Sequence, residues 1–182
     1  MKPTLALVGP RCAGKSRVGR LLAERLGLSF LDLDDRVAAF GRRAGHASAQ
    51  AGALLLEVGR ARFRALEAAA LRSVLEPEVE LVLATGGGVV ERSENRAWLQ
   101  RSAEVLWLDA EPATSARRMA DDPTLRPALL PGGSPEAELT QLALRRTPLY
   151  RALARVRVAT DDLEPDAVVR ALLTELEPST FQ

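Results

Sequence analysis

The sequence predicts a three-layer α/β/α fold built on a five-stranded parallel sheet, and two observations carry that prediction. Short runs rich in apolar and β-branched residues alternate with longer stretches of helical period. Strand followed by helix, repeated, builds a parallel sheet covered on both faces. A glycine-rich loop also lies directly between the first such strand and the first such helix. Folds of this kind bind ligands beyond the carboxyl ends of their strands, where the winding direction reverses.

The strand candidates are residues 4–8, 30–33, 81–84, 105–108 and 156–159. Each is short, apolar and bounded by turn residues or by the start of a helical pattern. Helical periodicity is clearest over residues 16–26, 63–75, 112–120 and 165–176, with a further helix expected to begin near Val37. Residues 121–135 hold Pro123, Pro127, Pro131, Gly132, Gly133 and Pro135. So many turn formers predict a mobile loop, and a loop this long inside a domain suits a lid. Residues 175–182 read as a frayed tail.

At 182 residues the chain fits one domain with a real core. Lys plus Arg numbers 25 against 24 for Asp plus Glu, and no long run of one sign occurs, which argues against nucleic acid as a partner. Lys2 and Lys15 are the only lysines among many arginines, so Lys15 stands out. The single cysteine, Cys12, excludes an intramolecular disulfide and fits a reducing compartment. No signal sequence and no apolar membrane span are evident, so a cytoplasmic protein without membrane contact is expected, and as a monomer.

The loop after the first strand reads Gly9-Pro10-Arg11-Cys12-Ala13-Gly14-Lys15-Ser16, the complete G-x-x-x-x-G-K-[ST] pattern of a phosphate cradle. Its glycines let several backbone N–H groups turn toward one anion, and the next helix adds its positive N-terminal end. Lys15 can reach the β- and γ-phosphates of ATP, and the Ser16 hydroxyl can ligate Mg²⁺. Cys12, lying among dipoles that favour a thiolate, is either reactive or simply a small residue tolerated in the loop.

The run Phe30-Leu31-Asp32-Leu33-Asp34-Asp35 closes the second strand with carboxylates, and a two-residue period puts Asp32 and Asp34 on one face. One carboxylate near Ser16 can complete Mg²⁺ coordination through water, and one further out can accept a hydrogen bond from an acceptor hydroxyl. The competing reading is helix capping by Asp34 or Asp35. Trp98 and Trp107 are expected to be core or half-buried packing residues, and the lone His46 is given no role.

At this point the chain resembles the shikimate kinases, a nucleoside-monophosphate-kinase-like branch of P-loop folds. The likeness runs nearly end to end, through Gly9 to Ser16, Phe30/Asp32/Asp34, Phe63-Arg64, Gly86-Gly87-Gly88-Val89-Val90, Arg126-Pro127 and Arg146-Thr147-Pro148-Leu149-Tyr150. The triple glycine and the arginine ahead of Pro-Leu-Tyr are more diagnostic than the P-loop. The resemblance implies one P-loop kinase domain over residues 1–182, with an acceptor-binding segment at about 35–64 and a lid at about 120–135.

It also implies roles. Gly9, Arg11, Cys12, Ala13, Gly14, Lys15 and Ser16 would bind nucleotide, with Arg118 and Pro165 against adenine, although Arg117 is an equal candidate for stacking. Asp34 would bind the acceptor hydroxyls and act as general base, and Asp32 with Ser16 would hold the metal. Arg64 and Arg146 would grip the acceptor's carboxylate, as a planar guanidinium can with two parallel hydrogen bonds. Glu67, one helical turn after Arg64, can orient it. Gly86, Gly87 and Gly88 would take the acceptor against their backbone, or else form a tight turn needing positive φ. Arg126 would close with the lid over the γ-phosphate. The catalytic set is then Lys15, Asp34 and Arg126.

Residues 45–60 depart from the family pattern: the stretch is longer, Leu55 stands where Phe is usual, and Arg60 replaces a Glu. The implied reaction is ATP-dependent phosphorylation of the shikimate 3-hydroxyl. Two rivals are a kinase for another carboxylated polyol such as gluconate, and a non-catalytic regulatory module that binds the same ligands.

Overall fold

In the computed structural model, which describes residues 4–77, 79–121 and 134–176, the first apolar run becomes the central strand of the sheet. In chain order the elements are β1 (Thr4–Val8), α1 (Lys15–Leu26), β2 (Ser29–Asp32), α2 (Leu33–Arg43), α3 (Ala51–Leu75), β3 (Leu81–Ala84), a 3-10 turn (Val89–Glu91), α4 (Ser93–Ser102), β4 (Ala103–Asp109), α5 (Pro112–Ala120), α6 (Pro135–Leu153), β5 (Val156–Ala159) and α7 (Pro165–Leu176). The strands lie in the order β2-β3-β1-β4-β5 and every pairing is parallel. From β1 the chain winds first toward β2 and later toward β5, so the reversal point lies at β1, where the glycine-rich loop begins.

Strand alternation divides the interior into two cores. Leu5 and Leu7 of β1 join Val82, Leu106 and Leu108 against Val18 and Leu22 of α1 and Val169 and Leu172 of α7. Ala6 and Val8 point the other way, with Leu83, Val105 and Trp107, against Val37, Phe63, Leu71, Leu99 and Tyr150 of α2, α3, α4 and α6. Trp107 is 1 % exposed and meets Tyr150 with ring centroids 5.9 Å apart. Trp98 is half-buried, with the Arg101 guanidinium 3.8 Å from its ring. Both tryptophans therefore pack as expected.

Three local expectations are corrected. The second strand ends at Asp32, because the Asp32 side chain accepts a hydrogen bond from the Asp34 backbone N–H at 3.0 Å and starts α2 at Leu33. The cap is thus Asp32 and not Asp34 or Asp35, and Asp34 lies on the first turn of a helix instead of sharing a strand face with Asp32. The helix expected over residues 63–75 is the second half of α3, which begins at Ala51 and breaks at Gly59, where φ is 76° and ψ 165°. Gly86, Gly87 and Gly88 all lack the positive φ of a strained turn.

No helix among the described residues is long and apolar enough to cross a membrane. Of the predicted lid, residues 122–133 lie outside the described residues, and Arg126 with them. On the far side, Ser134 caps α6 by accepting from the Ala137 N–H at 3.2 Å.

Candidate active site

A cleft of about 820 Å³ opens at the carboxyl ends of the strands. Its floor is the loop from β1 to α1. Gly9 and Gly14 there have φ of 143° and 87°, and Cys12 is the one described non-glycine residue with positive φ, at 56°. This backbone curls its amides toward a common point ahead of α1, the arrangement that receives an anion. Lys15, 9 % exposed, donates to the carbonyls of Gly9 at 3.0 Å and Pro10 at 2.5 Å. Burial lowers its pKa to about 8, partly offset by Asp34 and Asp32.

Asp32 does two things at once. Oδ1 caps α2, while Oδ2 accepts from the Ser16 hydroxyl at 2.5 Å. A hydroxyl and a carboxylate brought together beside a phosphate cradle are hard oxygen donors, which fit Mg²⁺ that takes its other ligands from phosphates and water. Among the described residues no cluster of three or more His, Cys, Asp or Glu could hold a metal by itself.

Asp34 opens to the water of the cleft but is walled in by protein. That crowding pushes its carboxyl up to about 6, and Asp32 adds to the rise, while Lys15, Arg64 and Arg11 pull it back. A carboxylate with such a pKa is ionised near neutrality and still basic enough to receive a proton.

Arg64, on α3, donates through Nη1 to both oxygens of Glu67 at 2.7 and 2.8 Å. Glu67 is 1 % exposed; burial raises its pKa to about 7 although the Arg64 charge opposes the shift. The same guanidinium lies over Gly88, where an added Cβ would fall 1.7 Å from Arg64 Nη2. Close approach of the Arg64 guanidinium, and not turn geometry, is therefore what a side chain at that position would disturb. Gly86 likewise faces Asp34 Oδ1 and Glu67, and Gly87 faces the Gly9 carbonyl.

Arg146, 3 % exposed on α6, also lines the cleft. Its Nε and Nη2 both donate to Glu91 Oε1, at 2.9 and 2.7 Å. Sequence reasoning missed Glu91; its one signal was its place three residues after the triple glycine. Beside the β1–α1 loop, Arg118 donates to the Thr160 carbonyl at 2.6 Å and to Cys12 O at 3.4 Å. Arg118 and Pro165 line the cleft, and Arg117 does not. His46, left without a role, contacts Glu57 at 2.9 Å, and Ser48 bonds the same carboxylate.

The structure thus brings together Arg11, Cys12, Ala13, Gly14, Lys15, Ser16, Asp32, Asp34, Arg64, Gly86, Gly87, Gly88, Arg118, Arg146 and Pro165 around one cleft. Gly9 shapes its floor from behind. Arg126 alone of the predicted set lies outside the described residues.

A family model described as shikimate kinase matches residues 11–177. The chain is 41 % identical over 173 residues to a shikimate kinase of Symbiobacterium thermophilum, covering 95 % of each chain. It is 42 % identical over 171 residues to one of Chromohalobacter salexigens, covering 94 % of this chain and 90 % of that one. A structure of shikimate kinase from Acinetobacter baumannii in complex with shikimate superposes with a TM-score of 0.86 at 31 % identity, over 100 % of this chain and 97 % of the other. A gluconokinase from Sinorhizobium meliloti matches over 98 % of this chain and 94 % of that one, with a TM-score of 0.59 and 16 % identity, which is a likeness of fold alone.

Proposed function

The chain belongs to the shikimate kinase family, and from that premise we propose that it transfers the γ-phosphoryl group of ATP to the 3-hydroxyl of shikimate, releasing ADP and shikimate 3-phosphate. The observation that supports this reading is a single cleft lined by a phosphate cradle, by Arg64 and Arg146, and by the Asp34 carboxylate, whose charged neighbours include both Lys15 and Arg64. A phosphate donor, an acidic acceptor and a base for the acceptor hydroxyl are what the reaction requires.

The loop amides and Lys15 bind the ATP phosphates, and Lys15 leaves its present carbonyl partners to do so. Arg118 and Pro165 take the adenine. Ser16 and Asp32 would hold Mg²⁺, which when bound neutralises charge on the phosphate oxygens. Arg64 and Arg146 grip the acceptor's carboxylate and so aim its hydroxyl at the γ-phosphorus. As the new P–O bond forms and the bond to ADP breaks, Asp34 takes the hydroxyl proton. Arg126, proposed from the sequence motif, supplies positive charge to the equatorial oxygens in the transition state.

An ADP-release assay across a panel of hydroxylated acids tests this reading. Shikimate should support turnover and gluconate should not; the opposite preference would select the sugar-acid rival. Binding of shikimate and ATP without any ADP release would select the regulatory one. Lys15→Ala should abolish turnover, and Arg126→Ala should lower kcat by ~10³ with ATP affinity nearly unchanged.

A further inference from the structure

Glu91 ends the 3-10 turn that follows the triple glycine, and it is the meeting point of three arginines. Arg146 places two donors on Oε1. Arg60 Nη2 reaches Oε1 at 3.2 Å and Oε2 at 3.1 Å, and Arg64 Nε lies 3.5 Å from Oε2. Burial by itself would raise the Glu91 pKa, but Arg146, Arg64 and Arg60 together hold it below the usual carboxylate range, so the group is ionised at neutral pH.

Arg64 and Arg146 line the cleft, whereas Glu91 and Arg60 do not. From the side away from the cleft the carboxylate therefore hydrogen-bonds Arg146 and holds Arg64 by charge alone, since Arg64 Nε makes no hydrogen bond to it. Its own support is rigid. Arg96 Nη1 donates to the carbonyls of Val90 at 2.7 Å and Glu91 at 3.2 Å, and Asn95 donates to Val89 O at 2.9 Å. Tyr150, one turn beyond Arg146, donates a hydrogen bond to Gly87 O and ties the glycine loop ahead of this turn to α6.

We propose that Glu91, braced by Arg60, is the positioning residue of the acceptor clamp: it holds Arg64 and Arg146 from behind so that their remaining donors face a carboxylate in the cleft. This rests on the kinase reading given above. A long side chain carries substantial rotamer entropy, and a guanidinium already held along one edge loses less on binding. Charge adds a second consequence. Three arginines against Glu91 and Glu67 leave a surplus of positive charge, the complement of a substrate carboxylate. Arg60 supplies that surplus from the solvent side, its side chain 41 % exposed. A carboxylate at position 60 would instead face Glu91 with like charge.

Steady-state kinetics of the full chain test the proposal, with shikimate and its carboxamide as alternative acceptors. Glu91→Ala should raise the shikimate KM about tenfold or more, Glu91→Gln less, and Glu91→Asp least, because a shorter carboxylate still reaches part of the way. In each, kcat and the ATP KM should change by less than about threefold. Arg60→Ala, at an exposed position that leaves the core intact, should raise the shikimate KM roughly two- to fivefold, which keeps the test alive if Glu91→Ala fails to fold. With the carboxamide, variants and native chain should behave alike.

A lowered shikimate KM in Glu91→Gln would make Glu91 a competitor for the clamp and overturn the proposal. Parallel losses in kcat and both KM values, or equal effects on both acceptors, would reduce it to a structural residue and overturn it too. Native protein that turned over no shikimate would instead remove the kinase reading and this proposal with it.

Discussion

Asp32 accepts a hydrogen bond from the Ser16 hydroxyl at 2.5 Å through one carboxylate oxygen and caps α2 through the other. The two jobs separate by substitution. Asp32→Asn keeps an acceptor for the cap but removes the anion, so stability should stay within about 0.5 kcal/mol of native. The Mg²⁺ concentration for half-maximal rate should rise about tenfold or more. Asp32→Ala should add a stability loss of about 1 kcal/mol from the missing cap. Denaturant melts and a Mg²⁺ titration read the two effects; an unchanged Mg²⁺ requirement in both variants would take Asp32 out of the metal site.

Asp34 opens the first turn of α2 toward the cleft, between Lys15 and Arg64. Asp34→Asn keeps its size and loses its basicity. The expected result is a fall of ~10² or more in kcat/KM for the acceptor, with the ATP KM near normal. Collapse of ATP affinity instead would move Asp34 to the metal and exchange its role with that of Asp32.

Gly88 sits beneath the Arg64 guanidinium, and the added methyl of Gly88→Ala would fall 1.7 Å from Nη2. The obstructed atom is the end of a long side chain, so Arg64 swings aside and the fold survives, with a stability change within about 1 kcal/mol. The clamp does not survive as well. Acceptor KM should rise about tenfold while the ATP KM holds, and equal acceptor KM in variant and native protein would show that Arg64 does not grip the acceptor.

Glu67 makes the ligand-free chain's stability depend on pH with a sign opposite to that of most paired carboxylates. Its folded pKa is raised from 4.5 to about 7, so across that interval the folded chain binds more protons than the unfolded one. Stability therefore falls as pH rises through this window. Chemical denaturation from pH 5 to 7.5 should show a decline that is shallower in Glu67→Gln, because the amide cannot titrate. Equal slopes would mean that the Arg64 charge offsets the burial of Glu67 more fully than its surroundings indicate.

The phosphate cradle was legible in the sequence because its chemistry is local. Eight consecutive residues, Gly9 to Ser16, carry the turn, the amides, the cation and the hydroxyl, and the strand and helix on either side identify themselves by their own periodicity. The Arg64–Glu67 pair was legible for the same reason, since helical spacing sets its reach. The α2 boundary was not. A side chain capping its own backbone two residues on competes with strand pairing, and a two-residue alternation of Asp does not reveal which of them wins.

By itself, then, the sequence determined the layered parallel sheet, the nucleotide end of the cleft and, through its motifs, the family. Only the tertiary structure decided how the end of the cleft around Arg64 and Arg146 is built. Glu91 meets Arg146 from 55 positions away and Arg60 from 31, and of the three glycines it is Gly88 that lies against Arg64 from another element. Charges so far apart in the chain carry no shared period or local propensity. Their meeting depends on how α3, α6 and the turn after β3 pack, and that packing is chosen by the burial of the whole core and not by any one of these residues.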